Sequence, residues 1–459
     1  MIKQLATVTF LEMMMGSIHK IIKKSPSLVK QIYYNVVPFE KRYGSTFKNT
    51  YDELMTTATW DRPKLLDYQN RKFLKLIHHA YNNVPYYKRV MQERGLTPKS
   101  FQSVEDITQL PFLTKDIIRE NFDDLIAQNM RGEKSFEFRT SGSTGKKLVF
   151  LGNDDVFKRE AAFVLRSWHL CGASMYDEPT VWLRRFVPKS GAKLWHYDHE
   201  LKRLYMSAYN INEKTIESYV RKINKGGYKT LVTYPSTAYI LACLCEKTGL
   251  ELKHVKHIRV ASEKMLDQWR DKVSDIFGIT PKMHYGMIEK VCFHHQTNDS
   301  HNYYENLEYG VTEYVEEDGQ NVIVGTGFIN QYMPFLRYKT NDAAIVNTDK
   351  NSMYRILEVN GRCDDILISE NGSRLPGVNF YTMMYKIDGV KMFQIRQKTK
   401  KDIDFLLVPN EKYTDETINE VERGLKDRLG NLNIHIKVVD EIERSTTTGK
   451  VRCIFNDCK

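Results

Sequence analysis

The sequence predicts an α/β protein: a large N-terminal domain of mixed and parallel sheets covered by helices, then a small C-terminal α+β domain of ββαβ type. Three observations carry this. The chain has 459 residues, more than a single core usually serves. From 138 to about 350, strand-like runs alternate with helical ones, as in KTLVTYPS before TAYILACLCEKTG and HIRVAS before EKMLDQWRDKVSDIFG. That alternation is the mark of βα units and a largely parallel sheet covered on both faces. The end of the chain then changes character, with a strand pair, one amphipathic helix and a further strand.

Taken in order, residues 1–130 read as a helical lead-in to an N-terminal domain spanning 1–361. Its first residues, MIKQLATVTFLEMMMGSIHKIIKK, are apolar and flanked by lysines, but Glu12 interrupts them and no run approaches the ~20 apolar residues of a membrane span. A helix packed on the body is preferred there, and a peripheral amphipathic helix is the alternative. Phe73, Leu76, Ile77 and Ala80 fall at helical spacing, Pro85 interrupts, and Gly95 stops the run. Cys243 and Cys245 belong to a buried helix. The stretch 361–377, GRCDDILISENGSRLPG, has linker chemistry. It opens a small domain, 362–459, in which KMFQIRQ pairs with IDFLLVP. Ile418, Val421, Leu425 and Leu429 then line one helix face that ends at Gly430, and Ile434, Ile436 and Val438 alternate as a strand.

Composition narrows the chemistry. Lysine and arginine total 68 against 57 acidic residues, a net charge of +11 that favours acidic ligands or anionic surfaces. The charge is scattered, with no basic arm for nucleic acid. Seven irregularly spaced cysteines suit reduced thiols of a cytoplasmic protein.

The segment FRTSGSTGKKLVF, 138–150, has the makings of an anion-binding loop. It is neither a P-loop nor a dinucleotide fingerprint: Gly142 and Gly145 are too close, Lys147 rather than Ser or Thr follows Lys146, and Thr140 breaks the glycine pattern. Glycine-rich backbone N–H groups, the hydroxyls of Thr140, Ser141, Ser143 and Thr144, and the charge of Lys146 still suit an oxyanion. A plain hairpin turn is the bland alternative. Cys292, His294, His295 and His301 cluster in VCFHHQTNDSHNYY and have zinc-ligand chemistry, but the spacing is that of no recognised finger. A strand with surface histidines is preferred over a zinc site there.

Behind TSGSTGKK come MHYGMIEK (283–290), PFLRYKTNDAAIV (334–346), GRCDDIL (361–367) and STTTGKVR (445–452). In this order the stretches resemble the adenylate-forming superfamily of acyl-CoA synthetases and adenylation domains, in its phenylacetate:CoA ligase and CapK-like branch. The lead-in YQNRKFLKLIHHAYNNVPYYKRV with LPFLTKDIIREN is similar to that branch too, so the resemblance runs from about residue 60 to the end. It implies ATP-dependent activation of a small-molecule or glycan-linked carboxylate through an acyl-adenylate, with ATP and Mg²⁺ required and either an amine or CoA as acceptor. By the same resemblance, the Thr140–Lys146 loop holds the β- and γ-phosphates and Glu289 holds Mg²⁺. Tyr285 beside Gly286 stacks on adenine, and Asp342 accepts the ribose hydroxyls with Arg362 assisting. Ser262 and Glu263 line the nucleotide pocket, while Tyr234, Pro235, Ser236 and His284 line the acyl pocket. Lys450 bridges carboxylate and α-phosphate, and Asp364 is the hinge. Two departures stand out: Ile288 where the family has Thr or Ser before the glutamate, and Asn341 where it has Gly, a mild change because Asn tolerates left-handed backbone. A non-catalytic nucleotide-binding scaffold and a phosphotransferase are the rival readings.

Overall fold

The computed structural model describes residues 22, 25–37, 42–140, 148–173, 178–184, 186, 193–317, 319–362, 366–385, 387–444 and 451–458. The lead-in is helical as its periodicity predicts: Ser27–Val36, Ser45–Thr57, Arg62–Asn83 and Pro85–Glu93. Asp61 caps the third of these, its side chain accepting from the Lys64 N–H, and Leu65, Phe73, Leu76, Ile77 and Ala80 are buried along it. Val84 is extended, as a residue before proline tends to be, so the helix breaks and restarts at Pro85. Gly95, at φ +67°, ends the second piece.

This lead-in is bolted to the stretch that carries PFLRYKTND. The Tyr87 hydroxyl donates to the Pro334 carbonyl at 3.0 Å and accepts from the Leu336 N–H at 2.9 Å. Leu113 exchanges backbone bonds with Arg337 and Lys339. Further along, Arg166 donates to Glu308 at 2.7 Å in a fully buried pair that Thr57 also joins at 2.7 Å. Both donors fall on Glu308 Oε1, which offsets part of the cost of burying its charge.

Twenty strands follow in the described residues: β1 Ser135–Arg139, β2 Val149–Asn153, β3 Thr180–Arg184, β4 Trp195–Asp198, β5 Arg203–Ser207, β6 Thr230–Thr233, β7 His257–Ala261, β8 Lys282–Gly286, β9 Phe293–Gln296, β10 Tyr303–Glu305, β11 Gly310–Glu317, β12 Gln320–Gly327, β13 Tyr338–Val346, β14 Tyr354–Arg362, β15 Ile366–Ile368, β16 Arg374–Pro376, β17 Val390–Gln397, β18 Asp402–Pro409, β19 Asn433–Val438 and β20 Ile454–Asn456. Twelve form one sheet in the order β11-β12-β13-β14-β10-β9-β8-β7-β6-β3-β5-β4. Helices Pro235–Thr248 and Asp267–Phe277 connect β6 to β7 and β7 to β8, and all three strands pair in parallel. Every residue of β6 is buried, as a strand covered on both faces requires.

The sheet is less parallel than the alternation suggested. Beyond β8 the strands are joined by short connections without helices, and every pairing from β8·β9 to β11·β12 is antiparallel. Short links cannot make the crossover that a parallel pair needs.

The small domain has the expected strand pair and helix, Asp415–Leu429, with Val421, Leu425 and Leu429 buried and Gly430 just beyond. Its sheet has four strands, β19-β18-β17-β20, because the tail returns as β20 beside β17. The stretch read as linker carries a structured hairpin, β15 paired with β16. None of the six cysteines in the described residues is in a disulfide.

Candidate active site

The first cluster is built from β8, β13 and the turn after β8. Tyr285, near the end of β8, donates its hydroxyl to Asp342 Oδ2 at 2.9 Å. Burial and the Asp342 charge push the Tyr285 phenol well up, so it acts as a donor. Asn341 sits at φ +61°, the left-handed backbone that its side chain tolerates, and the Asp342 N–H bonds back to Thr340 Oγ1 at 3.0 Å. Asp342 faces Arg362 across the β13·β14 register, so the two positions read as ribose contacts are cross-strand neighbours.

Glu289 lies in the turn between β8 and β9, is 9% exposed, and accepts from the Tyr338 hydroxyl at 3.0 Å. Burial raises its pKa; the Tyr338 bond and the nearby Lys115 charge pull the other way. The turn is tight: Lys290 has φ +61°, and a Cβ on Gly327 would stand 1.9 Å from the Lys290 carbonyl oxygen. Ile288 is 38% exposed at this turn.

An aromatic chain brings the phosphate-loop candidate to the same place. Thr140 and Leu148 close the neck of the β1–β2 hairpin with two 3.0 Å bonds, Thr140 N–H to the Leu148 carbonyl and Leu148 N–H to Thr140 Oγ1. Phe138 stacks on Phe150 at 5.1 Å, Phe150 meets Phe335 at 5.2 Å, and Phe335 stacks on Tyr338 at 5.5 Å. The hairpin neck is thus packed on the residue that holds Glu289. Ser141, Gly142, Ser143, Thr144, Gly145 and Lys146 lie outside the described residues, as do Asp364, Lys450, the N-terminal 1–21 and the side chain of Arg362.

A second cluster forms where β6 and β7 end. Tyr234 and Ser236 are buried, with Pro235 opening the helix between them. Glu263 Oε2 accepts from the Ser236 N–H at 3.0 Å, and Oε1 accepts from Val451 N–H of the small domain at 3.0 Å. Ser262 turns the chain there at φ +77°. His284 is held neutral, its pKa pushed down to about 3 by burial and the charges of Arg184 and Arg259. Arg184 lies over the Tyr234 ring at 5.1 Å, and Arg444 of the small domain donates to Ser236 Oγ at 3.3 Å.

The zinc candidates do not converge. His294 and His295 are in β9 as read, yet buried rather than on the surface, because β9 is an interior strand of the sheet, between β8 and β10, and other elements pack on it, as Phe163 of the helix Asp154–His169 does on Phe293. As successive strand residues they point to opposite faces. His294 contacts the Tyr314 hydroxyl at 3.4 Å, His295 contacts Asn306 at 3.0 Å, and His301 is exposed. Burial pushes the Cys292 thiol up, away from the thiolate that zinc needs. Among the described residues no group of three or more His, Cys, Asp or Glu is placed to hold a metal. A Mg²⁺ ion bound by one carboxylate and phosphate oxygens needs no such group, and Glu289 fits that donor set.

Sequence reasoning assigned no role to Tyr338, Lys115, Arg184 or Arg444. Tyr338 lies within PFLRYKTNDAAIV and Lys115 within LPFLTKDIIREN, Arg444 flanks STTTGKVR, and Arg184 sits in a strand pattern with no local signal.

Residues 367–457 match the CapK C-terminal domain family. Over 412 residues the chain is 28% identical to Protein CapK of Staphylococcus aureus, spanning 86% of this chain and 90% of that protein. It is 26% identical over 427 residues to a phenylacetate-coenzyme A ligase of Pseudomonas putida, spanning 85% and 94%. A 2-hydroxyisobutyryl-CoA ligase in its postadenylation state superposes with a TM-score of 0.68 at 17% identity, covering 87% of this chain and 91% of that one. The same ligase in its thioesterification state, at the same coverage, gives 0.54. The fold is that of an adenylate-forming ligase. In sequence the chain is similar over most of its length to CapK and to phenylacetate-coenzyme A ligases.

Proposed function

We propose that this protein is an AMP-forming ligase that activates a carboxylate with ATP and then transfers the acyl group to an amine or similar acceptor, in capsule or surface-polysaccharide synthesis. The observation that carries the reading is the union of Tyr285–Asp342, Tyr338–Glu289 and the neck of the Thr140–Leu148 loop around one turn. A carboxylate oxygen attacks the α-phosphorus, the bond to the β-phosphate oxygen breaks, and pyrophosphate leaves. In this reading Asp342, acceptor-only, takes the ribose hydroxyls with Arg362 beside it, and Tyr285 packs on adenine. The hydroxyls and N–H groups of 140–146 hold the outer phosphates. Mg²⁺ supplies charge neutralisation when bound at Glu289. Lys450 brings an ammonium to the reacting oxygens, where the charge to be stabilised develops. The small domain, 362–459, turns about Asp364 between the two steps.

The amine reading follows the resemblance to the CapK-like branch, which implies a surface-polysaccharide setting with an amine or sugar-linked acceptor; the similarity to CapK and the match of the small domain support that branch. Relatives named phenylacetate-coenzyme A ligase favour CoA as the second reading. A cytoplasmic enzyme in peripheral contact with an anionic membrane suits the helix Ser27–Val36, which exposes Leu28, Val29, Ile32 and Val36. No helix among the described residues is long and apolar enough to cross a membrane.

The test is a paired screen by mass spectrometry: a carboxylate panel with ATP, against CoA and against amines and amino sugars. Adenylate, AMP and an amide are expected. Rapid thioester formation with no amide from any amine would move the protein to the CoA reading. Release of phosphate instead of pyrophosphate would point to a phosphotransferase.

A further inference from the structure

We propose that Glu263 is a positioning residue, a latch that seats the small domain for the adenylation step by fastening the residue next to Lys450. The inference rests on the ligase reading above for the role of Lys450 and on the geometry of described residues for the latch. Glu263 grips two backbone N–H groups from distant parts of the chain: Ser236, 27 residues before it, with Oε2, and Val451, 188 residues after it, with Oε1, each at 3.0 Å. Ser236 follows Pro235 at the head of the helix Pro235–Thr248, so its N–H is the first that this helix end offers, and a carboxylate is its favoured partner. Val451 directly follows Lys450 in sequence, so the anchored N–H belongs to the planar peptide unit that joins the two residues.

A second tie acts at the same spot. Arg444 donates to Ser236 Oγ at 3.3 Å, so the positions on both sides of STTTGK, 444 and 451, fasten to Ser236 and Glu263. The carboxylate lies within the fields of Arg444 and Arg184, both largely desolvated, and so also supplies the negative charge of this seam. Next in sequence, Lys264 reaches the same boundary: its ammonium stands 4.5 Å from the Tyr381 ring centre of the small domain and 2.5 Å from Glu358 on β14. The Glu263–Val451, Arg444–Ser236 and Lys264–Tyr381 contacts join residues of the two domains, so they can be made only while the small domain is seated here. A step that needs another arrangement must break them.

Glu263→Gln tests this because it keeps the shape but turns one acceptor into a donor facing an N–H and removes the charge. We expect the kcat of ATP–pyrophosphate exchange to fall roughly 10- to 100-fold, as small misplacements of a catalytic group do, with the KM for ATP within about threefold. Acyl transfer from chemically made acyl-adenylate should fall much less than pyrophosphate exchange does. Amide hydrogen exchange should show the peptide beginning at Val451 losing protection while β17 and β18 keep theirs. Arg444→Met should show the same pattern more weakly. Unaltered pyrophosphate exchange and unaltered protection in Glu263→Gln would overturn the latch. Equal loss of both half-reactions would also overturn it, by making Glu263 a helix cap only. A wild type that exchanges no pyrophosphate with any acid, yet whose Val451 peptide is deprotected by Glu263→Gln, would fell the ligase reading and leave the latch standing.

Discussion

The carboxylates of Asp342 and Glu289 and the carboxylate of Glu263 are held in opposite ways. The first two are fixed within the large domain by tyrosine hydroxyls from other strands of its sheet, Tyr285 on β8 and Tyr338 on β13, at 2.9 and 3.0 Å. Glu263 is fixed by two main-chain N–H groups, one of which belongs to the small domain. A bond between two strands of one sheet persists as long as the sheet does. A bond across domains exists only in one arrangement of them. The Tyr285–Asp342 and Tyr338–Glu289 cluster is therefore preorganised, and the Glu263–Val451 seam is conditional. That division suits the proposed ligase, which would hold its nucleotide, first as ATP and then as acyl-adenylate, through both steps but deliver one charge for one of them.

The comparison is broken hardest at its conditional side. Lys450→Ala should abolish acyl-adenylate formation, by two to three orders of magnitude or more on the scale of lost transition-state electrostatics, while calorimetric ATP affinity stays nearly intact. Undiminished pyrophosphate exchange in this variant, beside an active wild type, would remove the lysine from the reaction. The preorganised side should respond in the other parameter. Asp342→Ala should weaken AMP and ATP binding by about 1–3 kcal/mol, because charge-assisted bonds are lost and the Tyr285 hydroxyl loses its acceptor. Calorimetric affinities equal to wild type would take Asp342 out of the site.

The two regions also differ in how much of them could be read from the sequence. Asn341 was legible: a residue tolerant of left-handed backbone stands where φ is +61°. The helix with Phe73, Leu76, Ile77 and Ala80 was legible because its signal lies within a few turns. His294 and His295 were misread as surface residues because their burial depends on pairings with residues far along the chain, such as Phe163 against Phe293 and Tyr314 against His294. No local pattern reports such a pairing. The antiparallel half of the sheet was hidden for the same reason. The seam was least legible of all, since Glu263–Val451 and Arg444–Ser236 join residues 188 and 208 apart and use main-chain or hydroxyl partners that leave no pattern in composition.

The finest test of preorganisation is Tyr338→Phe, which removes one hydroxyl from the Glu289 turn and leaves the ring stacked on Phe335. Burial holds the Glu289 pKa above the ordinary glutamate value, and the Tyr338 bond opposes that rise by stabilising the charged form. Deleting the hydroxyl therefore moves the pKa further up. A protonated carboxyl is a poor ligand for a hard cation, so Mg²⁺-dependent ATP binding should be lost as pH falls through this raised pKa, and the acid limb should shift to higher pH in the variant. Folding has the opposite sign. A carboxyl whose folded pKa exceeds its unfolded one favours the fold below the unfolded value, and that contribution is lost as pH rises through the folded value. The variant should accordingly be destabilised by about 0.5–1.5 kcal/mol at neutral pH, where Glu289 must be charged without its donor, and by less in acid. Denaturant melts at two pH values, without nucleotide, read this independently of activity. Equal destabilisation at both, with an unmoved acid limb, would mean that Tyr338 packs against Glu289 without tuning it.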